Sequence, residues 1–311
     1  MARANQAPHL FPAGARLGAD NVVLQARGRR HQVENYAGPL SIKTVLDGEV
    51  AWIIGGRELV VDRSSFLIVN AGERYSMNID APKPVETCCA FFAPGFVERV
   101  ALDFTSPLEQ ALDLPERAAP AVPYLSALHG DRERAIGGHV QGLAPRCHGA
   151  LAPSGFEEDF LLLAVELVQY YKQIREQAAR VAAVRESTRQ ELFRRLLIGR
   201  EYLHSHSSGP VSLEAVARAA CLSAFHFHRG FTKAFHQTPH GYLTGLRVER
   251  ARRMIESGAP VLDSCLEAGF SSPSSFTRLF RSRYGEAPSM VRRKFARSDK
   301  QASGVSGKLT A

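Results

Sequence analysis

Two stretches near the C-terminus carry the same alternation of aromatic and cationic side chains. Phe227, Arg229 and Phe231 in the first stretch match Phe276, Arg278 and Phe280 in the second. In a helix, phenylalanines four positions apart share one face, so the side chains of the opposite face are available for contacts outside the chain. Guanidinium, ammonium and hydroxyl groups on that face can donate hydrogen bonds to phosphate oxygens and base edges. The candidate contact residues are Phe225, His228, Arg229, Thr232 and Lys233 in the first stretch, and Ser274, Ser275, Thr277, Arg278 and Arg281 in the second.

These residues belong to a degenerate repeat, each copy of which predicts a short helix, a tight turn and a second helix. Small residues, Ala217 and Cys265, stand where two helices would cross closely. Gly269 supplies the positive φ that ends a helix sharply, and Ser223 can cap the helix that follows it. The pairs that match at an offset of 48 are Leu213 with Val261, Ala217 with Cys265, and Leu222 with Phe270.

The segment between the two copies predicts a connecting helix. Pro239 suits a first helical turn and Gly258 a helix end. A helix from Pro239 to Glu256 would be about 27 Å long at 1.5 Å per residue. A rod of this length could hold two helices roughly one DNA turn, about 34 Å, apart. One chain would then contact two successive segments of a major groove.

The charge of the chain is concentrated in this segment. The formal net charge is +8. Residues 190–297 hold 17 Lys and Arg against 8 Asp and Glu, or +9, whereas the remainder holds 22 against 23, or −1. A basic excess confined to one domain favours a polyanionic partner, because neutralising phosphates releases their counterions.

The segment resembles the DNA-binding domain of the AraC/XylS family of transcription regulators. The resemblance covers roughly a third of the chain and implies a regulator that binds double-stranded promoter DNA. It also implies an unidentified small-molecule effector in an N-terminal barrel and makes RNA polymerase a candidate partner. The stretches that carry it are Leu213–Phe231, Gln237–Ile255 and Val261–Arg293, including Gly-Phe-Ser-Ser at 269–272 and the residues 281–288. More loosely, Gly38–Gly48 and Phe66–Glu73 are similar to the β-barrel sensor domain of some members.

Four positions depart from the family pattern. Cys221 and His236 stand where glycine is common, and Ser264 where an apolar residue is usual. Gly230 lies inside a predicted helix, which costs about 1 kcal/mol relative to Ala unless close packing requires it.

The N-terminal part is typical of antiparallel β-structure, because short apolar runs alternate with turn residues. We predict an α+β protein with a cupin-like β-barrel sensor domain, a helical linker and an all-α domain of two helix-turn-helix motifs. The expected domains are 1–150 for the sensor, 151–189 for the linker, 190–297 for the DNA-binding domain and 298–311 for a disordered tail. The predicted strands are Ser41–Leu46, Glu49–Ile54, Glu58–Val61, Phe66–Val69 and Glu86–Phe92.

A long helix is predicted from about Ser154, where Glu157 three residues later completes a capping box. Steps of three and four between apolar residues suit a paired helix, which predicts a homodimer through residues 154–186. Packing of this helix on its own barrel is the alternative. The stripe consists of Phe160, Leu163, Leu167, Tyr170 and Ile174, followed by Val181 and Val184.

Other chemistry is weakly supported, so no catalytic residue, metal or cofactor is predicted. A metal-dependent cupin-type enzyme fused to the DNA-binding domain remains an alternative, but residues 40–93 contain no histidine to bind the metal. A ligand-independent regulator is the other alternative. His226 and His228 point to different helix faces, and Cys147 with His148 lacks the geometry of a nucleophile pair. The five cysteines suggest reduced thiols, and the absence of a signal sequence or membrane span predicts a cytoplasmic protein.

Overall fold

Eight antiparallel strands and three helices make up the larger part of the N-terminal unit of the computed structural model. The structure describes residues 6–105, 128–129, 134–145, 147, 154–183 and 185–295, and the predicted tail at 298–311 lies outside these ranges. The chain divides into two units, Met1–Phe193 and Arg194–Ala311. The strands are β1 (Gln6–Phe11), β2 (Val22–Ala37), β3 (Ser41–Asp47), β4 (Glu49–Ile54), β5 (Arg57–Asp62), β6 (Phe66–Val69), β7 (Arg74–Phe91) and β8 (Leu128–His129).

The long strand β7 organises the sheet. The strand order is β1-β2-β7-β3-β6-β8, and β4 joins β7 on one side and β5 on the other. Residues 75–78 of β7 pair with β4, whereas its residues 86–91 pair with β3. Strand β2 follows β7 along most of its length, from Val22 opposite Phe91 to Ala37 opposite Arg74.

The N-terminal β-structure is confirmed, but the cupin-like barrel is not. Four of the five predicted strand segments lie within strands, and the fifth, Glu86–Phe92, is the end of a longer β7 that stops one residue earlier, at Phe91. A closed barrel requires its first and last strands to pair, and the pairings among the described residues leave the strand path open. Strands β1 and β2 were not predicted from the sequence. Much of β2 is polar and exposed, so it lacks the apolar alternation of a half-buried strand.

Among the described residues, three helices accompany the sheet: α1 (Phe96–Thr105), α2 (Arg134–Leu143) and α3 (Ser154–Ala179). Helix α1 packs on α3, and α2 packs on β3 and α3. The predicted helix across 154–186 ends earlier, at Ala179, and α4 (Glu186–Ser205) begins after a short break. Within the described ranges, no helix has the length and apolar character needed to cross a membrane.

The apolar stripe of α3 is buried within the N-terminal unit, which corrects its interpretation as a seam between two chains. The Phe160 ring packs edge-on against Phe92 at 5.4 Å, and the Tyr170 ring against Phe66 at 6.2 Å between centroids. Helix periodicity identified the buried face correctly, but the partner is the sheet of the same chain. The residues exposed by 4% or less are Phe160, Leu163, Leu167, Tyr170 and Ile174.

The C-terminal unit repeats one pattern of helices twice. The first helices of the two copies differ by 48 residues at both ends and the second helices by 49, so the predicted repeat and its extra turn residue are confirmed. The connecting helix has the predicted bounds. The helices are α5 (Leu213–Ala219), α6 (Ala224–Phe235), α7 (Pro239–Glu256), α8 (Val261–Glu267), α9 (Pro273–Tyr284) and a final helix at 288–295.

Two glycines let α4 approach α6 closely. A Cβ added at Gly199 would overlap the ring of Phe227, which is fully buried. A Cβ added at Gly230 would lie 3.2 Å from Leu196. Gly230 is therefore a close-packing residue, which explains why a weak helix former stands inside α6.

We predict that Gly199→Ala lowers the free energy of unfolding of the C-terminal unit by about 1–3 kcal/mol, because overpacking forces buried groups apart. Thermal and urea unfolding, followed by circular dichroism, would measure the change. The matched control is Gly138→Ala in α2, where an added Cβ meets nothing within 4 Å. That control should gain up to about 1 kcal/mol from helix propensity. Equal behaviour of the two variants would contradict the close approach at Gly199.

Candidate nucleic-acid interface

Helix α6 presents one apolar and one polar face. Its cap is Ser223, whose Oγ accepts a hydrogen bond from the backbone N–H of His226 at 3.3 Å. Phe227 and Phe231 are fully buried, whereas the Phe225 ring in the first turn is 67% exposed. The hydroxyl of Thr232 donates to the carbonyl of His228 at 2.8 Å, so its proton is engaged within the helix. The predicted contact residues His228, Arg229 and Lys233 are exposed, and Thr232 is half-buried.

Helix α9 has the same design with different side chains. Ser272 caps it by accepting from the backbone N–H of Ser275 at 3.3 Å. Phe276 and Phe280 are buried, and the hydroxyl of Thr277 donates to the carbonyl of Pro273 at 2.9 Å. Of the predicted contact residues in this copy, Ser274, Arg278 and Arg281 are exposed, and Ser275 and Thr277 are half-buried.

The arginines of the C-terminal unit fall into two classes. Arg283 forms an ion pair with Glu249, and Arg252 donates to Glu256 at 2.7 Å while lying over the ring of Tyr284. The hydrogen bond to Glu256 raises the pKa of Arg252. The second class, Arg229, Arg278 and Arg281, forms no hydrogen bond or ion pair with another described side chain. The outer faces of α6 and α9 therefore carry cations that the chain itself leaves uncompensated.

The two departures from glycine preserve the backbone of the turns. Cys221 has φ 52°, and its counterpart Gly269 has φ 90°. His236, which ends α6, has φ 55°, and its counterpart Gly285 has φ 75°. A left-handed conformation costs a residue with a side chain roughly 1–2 kcal/mol. The first copy thus keeps the geometry of the second at an energetic cost.

The third departure, Ser264, is fully buried in α8. Its hydroxyl donates to the carbonyl of Pro260 at 2.8 Å, one helical turn earlier. The hydrogen bond removes the penalty for burying a polar group in this core.

Sequence reasoning missed Arg247 of α7, which connects distant parts of the C-terminal unit. Its Nε donates to the carbonyl of Ser207 at 2.8 Å and its Nη2 to that of Gly209 at 2.7 Å. A Cβ at Gly269 would lie 2.9 Å from Arg247 Nε. Burial lowers the pKa of this guanidinium. In the sequence, an arginine of a basic helix cannot be told apart from a solvated surface arginine. The sequence therefore contains no signal that distinguishes Arg247 from the other arginines of α7.

The N-terminal unit buries four aromatic residues of its sheet and of the segment that directly follows β7. Trp52 and Tyr75 belong to the main core of the sheet, and Phe91 belongs to a smaller cluster with Val22. Phe92 instead stacks on Phe96 of α1 and on α3. The described ranges contain no group of three or more His, Cys, Asp or Glu side chains arranged to hold a metal ion. His148 lies outside the described residues, so the pairing of Cys147 with it is not tested.

Comparison with known proteins identifies the C-terminal helices. Residues 216–294 match the family described as "Helix-turn-helix domain". The chain is 28% identical over 118 residues to the uncharacterized HTH-type transcriptional regulator YbfI of Bacillus subtilis, covering 38% of this chain and 40% of that protein. It is 34% identical over 92 residues to the HTH-type transcriptional activator RhaS of Escherichia coli O139:H28, covering 29% of this chain and 33% of that protein.

Among solved structures, a probable AraC family transcriptional regulator from Rhodopseudomonas palustris is similar. It is 22% identical, with 32% of this chain and 96% of that chain covered and a TM-score of 0.31. The chain spans well under two thirds of the two curated relatives. Residues 216–294 therefore form a helix-turn-helix domain, and this part of the chain is similar to HTH-type transcriptional regulators.

Proposed function

We propose that this chain is a sequence-specific regulator of transcription that binds double-stranded DNA through α6 and α9. The observation that carries the proposal is the pair of matched outer faces whose arginines have no partner within the described chain. Exposed cations on two helices of one basic unit suit the regularly spaced phosphates of a duplex.

Each helix would supply both positioning and reading contacts. Arg229 and Arg278 occupy matched positions and can each pair with the O6 and N7 atoms of guanine, a contact worth about 1–3 kcal/mol. Lys233 and Arg281 would bind phosphates, as would the first backbone amides of both helices. The connecting helix α7 would hold the two reading helices on successive segments of the major groove.

Control by a small-molecule ligand is the second part of the proposal. A ligand in the N-terminal unit would change promoter occupancy by binding one DNA-binding state of the chain more tightly than the other. The support is that the chain divides into two compact units, of which the N-terminal one contains the β-sheet. RNA polymerase is the proposed partner at the promoter, and the cytoplasm the proposed compartment.

A homodimer also remains a proposal, but the buried stripe of α3 no longer supports it. The outer face of the same helix does, because Leu161 and Leu162 are 48% and 47% exposed. Apolar side chains exposed side by side favour association. A dimer would raise the effective concentration of the second pair of reading helices at a double site.

We predict that Arg229→Ala and Arg278→Ala each weaken binding to a selected operator about 5- to 150-fold, the equivalent of 1–3 kcal/mol. Binding to unrelated duplex DNA should change much less. The operator would be selected from a random duplex pool with the full chain, and affinities measured by fluorescence anisotropy across a salt series. Arg63→Ala, which removes an exposed arginine from the N-terminal unit, is the matched control. Equal loss on both DNAs would reassign that arginine to a phosphate contact.

We predict that Phe225 contacts a thymine methyl group, because its exposed ring stands in the first turn of α6 where base edges are reached. Replacing each operator thymine in turn by deoxyuridine removes only that methyl group. At one operator position, this replacement should weaken binding of the wild-type protein severalfold. The same replacement should leave the affinity of the Phe225→Ala variant unchanged. The counterpart of Phe225 in α9 is Ser274, which has no ring to contact a methyl group. Replacing thymines in the part of the operator that α9 contacts should therefore leave the affinity unchanged. A wild-type protein that is indifferent to every substitution would contradict the contact.

We predict that Leu161→Glu combined with Leu162→Glu makes the chain monomeric, since paired carboxylates on facing helices repel. Light scattering at tens of micromolar would measure the mass. The control is Gln169→Glu, which adds a charge at an exposed polar position of the same helix. A wild-type chain that is itself monomeric at this concentration would refute the dimer.

A further inference from the structure

Strand β3 buries a lysine in the interior of the N-terminal unit. The side chain of Lys43 is 1% exposed, although it belongs to one of the residue types that are least often buried. Its Nζ donates to the Tyr75 hydroxyl at 3.2 Å and lies 3.8 Å from the centroid of the Phe91 ring. In the sequence it interrupts a run of apolar and hydroxyl-bearing residues from Ser41 to Leu46, and this interruption is the signal that sequence reasoning passed over.

Within the described part of the chain, the positive charge of Lys43 has no counter-ion. Among the described residues, no carboxylate lies within ion-pair distance of its Nζ, and two of its three donors remain unused. The two aromatic rings compensate only part of the lost hydration, since a cation over a ring is worth about 2 kcal/mol when desolvated. Burial accordingly lowers the pKa of Lys43 to about 8, which leaves the amine mostly protonated at pH 7.

A second buried polar group lies on the same face of the strand. Side chains two residues apart in a strand point the same way, so Ser41 and Lys43 face the same interior. Ser41 is fully buried, and its hydroxyl has no hydrogen-bond partner among the described residues. Ser41 is paired in register with Phe91, the residue whose ring lies beneath the ammonium group, and Lys43 is paired with Cys89.

A buried ammonium group without a counter-ion and a buried hydroxyl without a partner among the described residues lie on one face, and both need an explanation. We propose that this place is a binding site for a small molecule carrying a carboxylate on an apolar body. The carboxylate would receive hydrogen bonds from the Lys43 ammonium and the Ser41 hydroxyl, while the apolar body would pack among Tyr75, Phe91 and the neighbouring core. The inference rests on the proposed ligand control and specifies the chemical class of the effector.

The charge balance favours a carboxylate over a phosphate. One ammonium neutralises one negative charge, so a monoanion enters the interior as part of a neutral pair. A phosphate near neutral pH would bring up to a second charge, and an uncompensated buried charge is strongly disfavoured. The apolar surroundings, Val22 and Leu24 on β2 among them, further select an organic anion over a hydrated inorganic one.

Binding should depend on pH through Lys43. The neighbouring titratable groups are Tyr75 and Cys89, and burial raises the pKa of both, so they stay neutral across the useful range. A bound carboxylate raises the pKa of Lys43, and binding above pH 8 therefore requires uptake of a proton. Affinity should be constant below about pH 8 and fall by up to tenfold per pH unit above it.

The test uses the full chain and paired probes that differ only in charge. Acetate and 3-phenylpropanoate would be compared with acetamide and 3-phenylpropanamide by NMR titration of the lysine Cε–Hε signals and by calorimetry. We expect the carboxylates to bind at least tenfold more tightly than the amides, and inorganic phosphate to bind more weakly than acetate. Lys43→Met should abolish this preference, and Ser41→Ala should reduce it severalfold.

Lys43→Met removes an unpaired charge, so the variant should fold at least as stably as the wild type. Lys83→Met, at an exposed lysine of the same unit, is the matched control and should bind like the wild type. Equal affinity for carboxylates and amides, absence of carboxylate binding, or unchanged binding by Lys43→Met would each overturn the site. The affinity for the operator is measured separately, with and without the carboxylate. If the carboxylate binds but the operator affinity does not change, the site is confirmed and the proposed ligand control is contradicted.

Discussion

The guanidinium group of Arg247 holds the architecture of the helical unit together. A cation that is partly withdrawn from water needs hydrogen-bond acceptors, and the half-buried Arg247 has them in the carbonyls of Ser207 and Gly209, just after α4 ends. The same group lies against Gly269, where a Cβ would also meet the carbonyl of Ser208 at 3.1 Å. One side chain of the connecting helix thereby fixes the loop before the first helix-turn-helix and the turn inside the second. Because these interior contacts position the helices, the outer faces of α6 and α9 need no partner within the chain.

The repeat could be read from the sequence because its parts depend on local rules. Phenylalanines four apart define the inner faces, serines at 223 and 272 define the caps, and the offsets of 48 and 49 define the helices. Arg247 and the close approach at Gly199 could not be read in this way. Both arise where segments distant in the sequence meet, and neither a lone arginine nor a helical glycine indicates its neighbour. The assignment of individual side chains to bases or phosphates likewise depends on a duplex that the sequence does not specify.

The N-terminal unit shows the same limit more strongly. The apolar period of α3 predicted a buried face correctly, but periodicity carries no information on whether a sheet or a second chain covers that face. Ring contacts of Phe160 with Phe92 and of Tyr170 with Phe66 identify the sheet. Strand β2 was not predicted because its side chains lack an apolar pattern. It is held by its backbone pairing with β7 over most of its length, so its side chains can be polar and still belong to a strand.

Uncompensated cations occur in both units, and their surroundings decide what each can bind. Lys233 and Arg281, the proposed phosphate contacts, stand in water, where dissolved ions screen them, so they gain affinity only by acting together on an array of phosphates. Lys43 stands in an apolar interior that salt does not screen, and a single charge there suffices to select a single anion. Ionic strength should therefore govern the DNA equilibrium and leave the interior site nearly unaffected. In the proposed mechanism, this difference would give the two equilibria independent controls: a small anion would act on a chain whose affinity for DNA is otherwise set by the salt around it.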